Sequence, residues 1–219
     1  MKVLGTDEAG RGPVIGPLII VGITMQAEDL PKLETINIKD SKLLTKSQRE
    51  AVFNKILELA ESYKIVHISP EEIDQTIDHN ETLNLNLLEA IKTADIINEL
   101  KPDKAILDCP SNNIQAYQNY LKSKLINQSI EIIAEHKADT NHKIVAAASI
   151  IAKVTRDKEI EKIQKAIPCP IGSGYPSDPR TQKFLKENYH IYPHIFRKSW
   201  QSYKNVTSEK KQTNLADFS

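Results

Sequence analysis

All seven glycines of this 219-residue chain fall in two short stretches, Gly5, Gly10, Gly12, Gly16 and Gly22 near the start and Gly172 and Gly174 near the end. Residues 23–171 contain none. Glycine permits positive φ and close approach of the backbone to another group. Two loops therefore have unusual backbone requirements, which makes them candidates for the functional site.

Between the loops the hydrophobic pattern is regular. Lys2–Asp7 reads as a strand, and a second apolar run, Val14–Met25, follows a Gly-containing turn, which predicts an antiparallel hairpin. Thr45 with Gln48 three residues later is a capping-box start for a helix to about Ser62. Strands are expected at Lys64–Ile68, Lys104–Asp108 and Ser129–Ala134. Helices are expected from Asn80 or Thr82 to Leu100, over Ile114–Leu125, over Lys143–Ile167, over Thr181–Tyr189 and from near Arg197. The first half of the Lys143 helix is apolar almost all round and should be buried. A hairpin followed by alternating strands and helices is the pattern of an α/β chain with a mixed sheet covered on both faces.

Composition excludes several classes. Apolar residues make up 40% and charged residues 26%, which is globular rather than disordered. Basic and acidic side chains balance at 29 each, so a highly basic nucleic-acid coat protein is excluded, although the stretch 180–211 carries Arg180, Lys183, Lys186, Arg197, Lys198, Lys204, Lys210 and Lys211 against Glu187 and Glu209. That basic end suits a duplex backbone, or reads as a solvated helix face. Cys109 and Cys169 have no disulfide or metal spacing, and the histidines at 67, 79, 136, 142, 190 and 194 share no ligand spacing. With no apolar run near the ~18 residues of a membrane span, the chain is expected to be soluble, cytoplasmic and away from membranes.

Four acids sit at the ends of apolar runs. Asp7 and Glu8 close the first strand, Asp108 closes Ala105-Ile106-Leu107, and Asp139 lies just before the buried helix. Each alone reads as a surface residue, and Asp139 also as a helix cap. Together they would deliver carboxylates to one sheet edge, where mutual repulsion calls for protonation or cations. Hard divalent ions prefer such oxygens, and two ions about 4 Å apart serve phosphodiester hydrolysis. Asp7 and Glu8 are neighbours on a strand and so point to opposite faces. They can share a site only if the strand ends there and the turn reorients Glu8.

Gly10-Arg11-Gly12-Pro13 resembles a dinucleotide-binding turn only superficially, because β-branched strand rather than helix follows it. A turn exposing backbone groups beside carboxylates suits contact with the sugar next to a scissile phosphate, with Arg11 pairing to that phosphate. It also reads as an ordinary hairpin turn. Tyr175, between Gly174 and Pro176, projects rigidly enough to pack on a sugar, or else anchors its loop in the core.

These residues resemble one family closely. Asp7-Glu8-Ala9-Gly10-Arg11-Gly12-Pro13 is similar to the signature of ribonuclease HII, the type 2 ribonucleases H; Asp40-Ser41-Lys42-Leu43, Leu107-Asp108, Lys137-Ala138-Asp139 and the helix Ala146 to Asp157 follow in the family's order. Gly172 to Pro179 and Arg197-Lys198-Ser199-Trp200 resemble its archaeal branch. The resemblance implies a ribonuclease H-like fold: a five-stranded mixed sheet flanked by helices, with a catalytic domain over 1–178, a small helical appendage over 179–208 contributing to substrate binding, and a flexible tail over 209–219. It implies a monomeric hydrolase cutting the RNA strand of RNA–DNA hybrids, and cutting 5′ of single ribonucleotides in duplex DNA to leave a 3′-hydroxyl and a 5′-phosphate. By it Asp7, Glu8, Asp108 and Asp139 bind two Mg²⁺ or Mn²⁺ ions, with Asp7 bridging, Asp108 and Glu8 on one ion and Asp139 on the other. Gly10, Arg11 and Gly12 contact the ribonucleotide and its 2′-hydroxyl, Tyr175 packs on the next sugar, and Lys42 meets phosphate. The 2′-hydroxyl is donor and acceptor at once, which backbone groups of a glycine turn can match.

The end, Gln212-Thr213-Asn214-Leu215-Ala216-Asp217-Phe218-Ser219, resembles the peptide by which replication proteins plug into sliding clamps, with Gln212, Leu215 and Phe218 as its anchors and no second aromatic. It reads equally as a frayed terminus. The rival functional classes are a non-catalytic hybrid-binding or clamp-associated module and a metal nuclease acting on plain DNA.

Overall fold

The computed structural model describes residues 1–36, 45–78 and 84–216. They form two compact units. The first comprises 1–9, 19–67 and 85–156, the second 10–18, 68–84 and 157–219.

The first unit is built on five strands, β1 (Lys2–Ala9), β2 (Leu18–Gln26), β3 (Ser62–Ile68), β4 (Lys104–Asp108) and β5 (Glu131–Glu135), in the order β3-β2-β1-β4-β5. β1 pairs antiparallel with β2, from Lys2↔Gln26 to Ala9↔Ile19, and parallel with β4, which is itself parallel to β5. The expected mixed sheet is thus present. β2 is buried along almost its whole length, as a strand covered on both faces must be. Alternation along β1 separates the two covers. A Cβ on Gly5 would lie 2.6 Å from the Ile144 carbonyl carbon, so glycine is what lets helix α6 (Lys143–Ala166) meet β1 backbone to backbone. On the other face Leu4 and Thr6 lie with Gly22 beside Ile96 of α3 (Leu85–Leu100). The main core joins Val3, Ile19, Val21 and Ile106 to Val145, Ala148 and Ile151 of α6, each valine or isoleucine contributing about 1.5–3 kcal/mol through burial.

Helix α1 (Lys46–Leu59) starts at the expected capping box, Gln48 N–H donating to Thr45 Oγ1 at 3.3 Å, but stops at Ala60, short of Ser62. The caps proposed at Asn80 and Thr82 lie outside the described residues. Helix α4 (Ile114–Ser123) is capped by Asn113, and the one-turn α5 (Ala138–Asn141) precedes α6.

The second unit holds α2 (Pro70–Asp78), the end of α6 from Asp157, α7 (Pro179–Asn188) and α8 (Gln201–Ala216). Its core gathers Val14, Ile15, Ile171, Phe184, Leu185 and Phe196, with Phe184 packed 5.7 Å from Phe196. The predicted antiparallel hairpin of β1 and β2 is present, but its second strand starts at Leu18 rather than Val14. Val14 and Ile15 do not extend β2; Ile15 makes an isolated bridge to Phe196, and the connection from β1 to β2 runs over 10–17. Among the described residues no helix is long and apolar enough to cross a membrane.

Candidate active site

Three acids are linked on one edge of the first unit. In the parallel pairing Thr6 stands opposite Leu107, so Asp7 and Asp108 leave neighbouring strands at the same level. Asp7 shares the face of Gly5, the side covered by α6, and there Ser149 hydrogen-bonds its carboxyl and the Lys153 ammonium bears on it. Lys153 Nζ is 3.0 Å from Ser149 Oγ. Burial is the main reason the Asp7 carboxyl is pushed up to about 7; the charge of Asp108 adds to the rise, while Ser149, the Glu8 N–H and Lys153 oppose it. Asp108 is raised as well, first by burial and then by the charge of Asp139. The Ala138 N–H donates to Asp108 Oδ1 at 3.0 Å, and the Lys137 N–H also reaches this carboxyl. Lys137 adopts the left-handed conformation, φ 57°, ψ 38°, which for a non-glycine residue costs about 1–2 kcal/mol and turns both N–H groups onto one acid. Asp139 lies within α5 rather than capping α6.

Glu8 is placed differently. β1 does not end at Asp7 but continues to Ala9, so alternation puts Glu8 on the opposite face from Asp7. There its charge bears on Tyr117, a buried phenol whose pKa is raised by burial and then by Glu89. Among the described residues no three His, Cys, Asp or Glu side chains are gathered closely enough to hold a metal ion as they stand. In chemistry the donor set fits a hard cation. Asp7 and Asp108 are oxygen donors whose surroundings oppose their negative charge, and a divalent ion would relieve both burial and mutual repulsion.

The second unit brings the two glycine loops together. Gly10, one residue beyond β1, has φ 90°, a conformation that L side chains rarely adopt. The Val14 and Ile15 N–H groups both donate to the Gly174 carbonyl, at 2.8 and 3.3 Å. A Cβ on Gly12 would sit 3.5 Å from the Tyr175 ring, so the tyrosine lies directly against the turn. Tyr175 is 40% exposed and therefore not a core anchor. Its loop is fixed from below: the Ser173 N–H donates to Asp178 at 2.8 Å, the Gly174 N–H to Thr181 Oγ1 at 3.0 Å, and the Arg180 guanidinium holds the Asp178 carboxylate well below its usual range.

The basic end has a smaller surface charge than its composition suggests. Arg197 is fully buried and Arg180 pairs with Asp178, whereas Lys183, Lys186, Lys198 and Lys204 are exposed. Lys42 and Phe218 lie outside the described residues, and Gln212 and Leu215 fall on the last turns of α8. Three residues that contact these groups carry no such reading from sequence: Ser149, inside an apolar helix, Arg197, read as part of the basic stretch and as a family marker, and Trp200, read as a family marker. Serine in the middle of an otherwise aliphatic helix at the level of Asp7 was the available signal.

The profile of the Ribonuclease HII family matches residues 4–203. Ribonuclease HII from Methanococcus maripaludis strain C7 is 49% identical over 220 residues, covering 97% of this chain and 90% of that one. The crystal structure of ribonuclease H2 from Pyrococcus horikoshii OT3 superposes with a TM-score of 0.86 at 42% identity, over 95% of this chain and 98% of the other. The structure of the PCNA:RNase HII complex from Archaeoglobus fulgidus gives a TM-score of 0.81 at 36% identity, over 92% and 96%. A family match across nearly the whole chain, near-complete archaeal relatives and a shared ribonuclease H fold place the chain in the ribonuclease HII family of endoribonuclease hydrolases.

Proposed function

We propose that the chain is a divalent-metal-dependent endonuclease that cuts the RNA strand of RNA–DNA hybrids and cuts 5′ of single ribonucleotides in duplex DNA, by a two-ion mechanism. Its main support is the run Asp7–Asp108–Asp139, buried or half-buried carboxyls that oppose one another's charge on one sheet edge. These three would hold Mg²⁺ or Mn²⁺, with Asp7 central. Glu8 is assigned as a fourth ligand by the family motif alone. Bound ions would supply an activated water and stabilise the leaving oxygen.

The chain's own residues have separable tasks. Ser149 and Lys153 orient Asp7, and the Lys137–Ala138 N–H pair orients Asp108. Gly10, Arg11 and Gly12 read the ribose, Tyr175 packs on the following sugar, and Arg11 and Lys42 meet phosphate. Lys183, Lys186, Lys198 and Lys204 in the 179–208 appendage track the duplex backbone. Water adds to phosphorus, the bond from phosphorus to the upstream 3′-oxygen breaks, and that oxygen takes a proton. The ends are a 3′-hydroxyl and a 5′-phosphate.

The test is a duplex carrying one ribonucleotide, incubated with Mg²⁺, Mn²⁺ or chelator beside an all-DNA control. Metal-dependent cleavage at the 5′ side of the ribonucleotide alone is expected. Binding without cleavage would favour a hybrid-binding module, and cleavage of the control would favour a plain DNA nuclease. The tail is read as a clamp ligand through Gln212, Leu215 and Phe218, a reading favoured by the A. fulgidus relative, whose structure is of a complex with PCNA. Equal affinity of the full chain and a chain ending at Lys211 for purified clamp would remove it.

A further inference from the structure

Arg197 is fully buried, yet its guanidinium does not serve the surface charge that its basic neighbours suggest. Nη2 donates to the Gly10 carbonyl at 2.6 Å, Nη1 to the Arg11 carbonyl at 3.0 Å and Nε to the Gly16 carbonyl at 3.0 Å. Three residues on, Trp200 Nε1 donates to the Gly12 carbonyl at 3.2 Å, and its ring lies 4.9 Å from the guanidinium carbon. Two side chains thus take the carbonyls of Gly10, Arg11 and Gly12, the three consecutive residues of the turn.

The segment bearing them is itself anchored. The Arg197 N–H donates to the Val14 carbonyl at 2.9 Å. Asp74 of α2 accepts from the Lys198 N–H at 2.8 Å, the Ser199 N–H at 2.9 Å and Ser199 Oγ at 2.6 Å.

The peptide unit turns this grip into a presentation device. There is no cis peptide bond among the described residues. In a planar trans peptide the carbonyl of one residue and the N–H of the next point in opposite directions. Holding the Gly10 and Arg11 carbonyls toward Arg197 therefore directs the Arg11 and Gly12 N–H groups away from it. Gly12 is followed by Pro13, which has no N–H, so its carbonyl bond to Trp200 only closes the turn. A planar fork of five donors suits this task, and a lysine ammonium does not reproduce it.

We propose that Arg197 and Trp200 are positioning residues for ribose recognition, holding the Gly10–Gly12 turn with two successive N–H donors presented before substrate arrives. The proposal rests on the reading of that turn as the ribose contact. The test measures affinity, in chelator so that nothing is cut, for two duplexes identical except for one ribonucleotide. The wild-type chain should bind the ribonucleotide duplex more tightly. Arg197→Lys should lower that preference roughly tenfold and Trp200→Phe about threefold, as expected for misaimed hydrogen bonds, with all-DNA affinity unchanged. An unchanged preference in a folded variant overturns the proposal, and so does a parallel fall in both affinities, which marks a merely structural role. If Arg197→Lys does not fold, Trp200→Phe decides. A wild-type chain without any preference refutes the reading of the turn, and the brace falls with it; a wild-type preference that survives in the variants refutes the brace alone.

Discussion

The carboxyls at the ends of β1 and β4 and the turn at Gly10–Gly12 treat their polar groups in opposite ways. At the turn the carbonyls of Gly10, Arg11 and Gly12 each meet a dedicated donor from Arg197 or Trp200, so these acceptors are satisfied without any ligand. At the strand ends burial and neighbouring acids work against the charge that Asp7 and Asp108 would carry. In the proposed role the turn is ready before substrate arrives, and readiness of that kind lowers the cost of binding. A positive partner would offset the burial and repulsion that oppose the charge of these acids. Recognition of nucleic acid should accordingly survive removal of metal, while cleavage should not.

The widest separation of the two comes from neutralising an acid. Asp7→Asn or Asp139→Asn should lower turnover on a single-ribonucleotide duplex by on the order of 10³-fold, with duplex affinity in chelator near that of the wild-type chain. Single-turnover rates and binding curves check both halves. Near-normal rates would remove these residues from the ligand set. A smaller but clear effect is expected from Gly5→Ala. The new Cβ would meet Ile144 and Val145 backbone within 2.8 Å, so β1 and α6 must separate. A loss of about 1–3 kcal/mol in denaturant titration is expected, with activity falling as Ser149 moves from Asp7. A fully stable variant would show that the contact is not tight.

How far this was legible in the sequence differs between the same two regions. The acids stood out because an aspartate ending a run such as Ala105-Ile106-Leu107 has no packing reason to be there. Which face each acid takes depended on where β1 ends, and two further residues of strand sent Glu8 to the Tyr117 side. The brace behind the turn was hidden, because Arg197 and Trp200 lie in a basic stretch whose composition reads as solvent-facing. Only three-dimensional closure over more than 180 residues shows a guanidinium spent on backbone carbonyls. Val14 and Ile15 read as strand in the sequence because hydrophobicity reports burial and not which core receives it. Helix α2 does not stand out in the hydrophobic pattern, although Ser69 Oγ accepts the Glu72 N–H at 3.1 Å and Pro70-Glu71-Glu72 opens its first turn, a start signal present in the residues themselves.

The mildest expected effect concerns the basic end. Lys183→Ala or Lys186→Ala should weaken binding a few-fold on ribonucleotide and all-DNA duplexes alike, and reduce the salt slope by about 1 each. A change in ribonucleotide preference instead would give these lysines a share of the recognition assigned to the turn.

Asp7 links the acid edge to pH. Its folded pKa of about 7 exceeds the ordinary 3.8, so the folded state holds the proton more firmly than the unfolded chain. The stability tied to this group is complete below about pH 4 and is lost as pH rises through 7. Asp7→Asn, which cannot ionise, should lose that slope and be the more stable form at pH 8 in the absence of metal. A divalent ion must displace the same proton. Calorimetric titration of Mn²⁺ into the wild-type chain at pH 6 and pH 8 should therefore give proton release at pH 6, tighter binding at pH 8, and little binding to Asp7→Asn at either. Affinity independent of pH, with no proton released and no loss in Asp7→Asn, would contradict the assignment of these acids as the metal site.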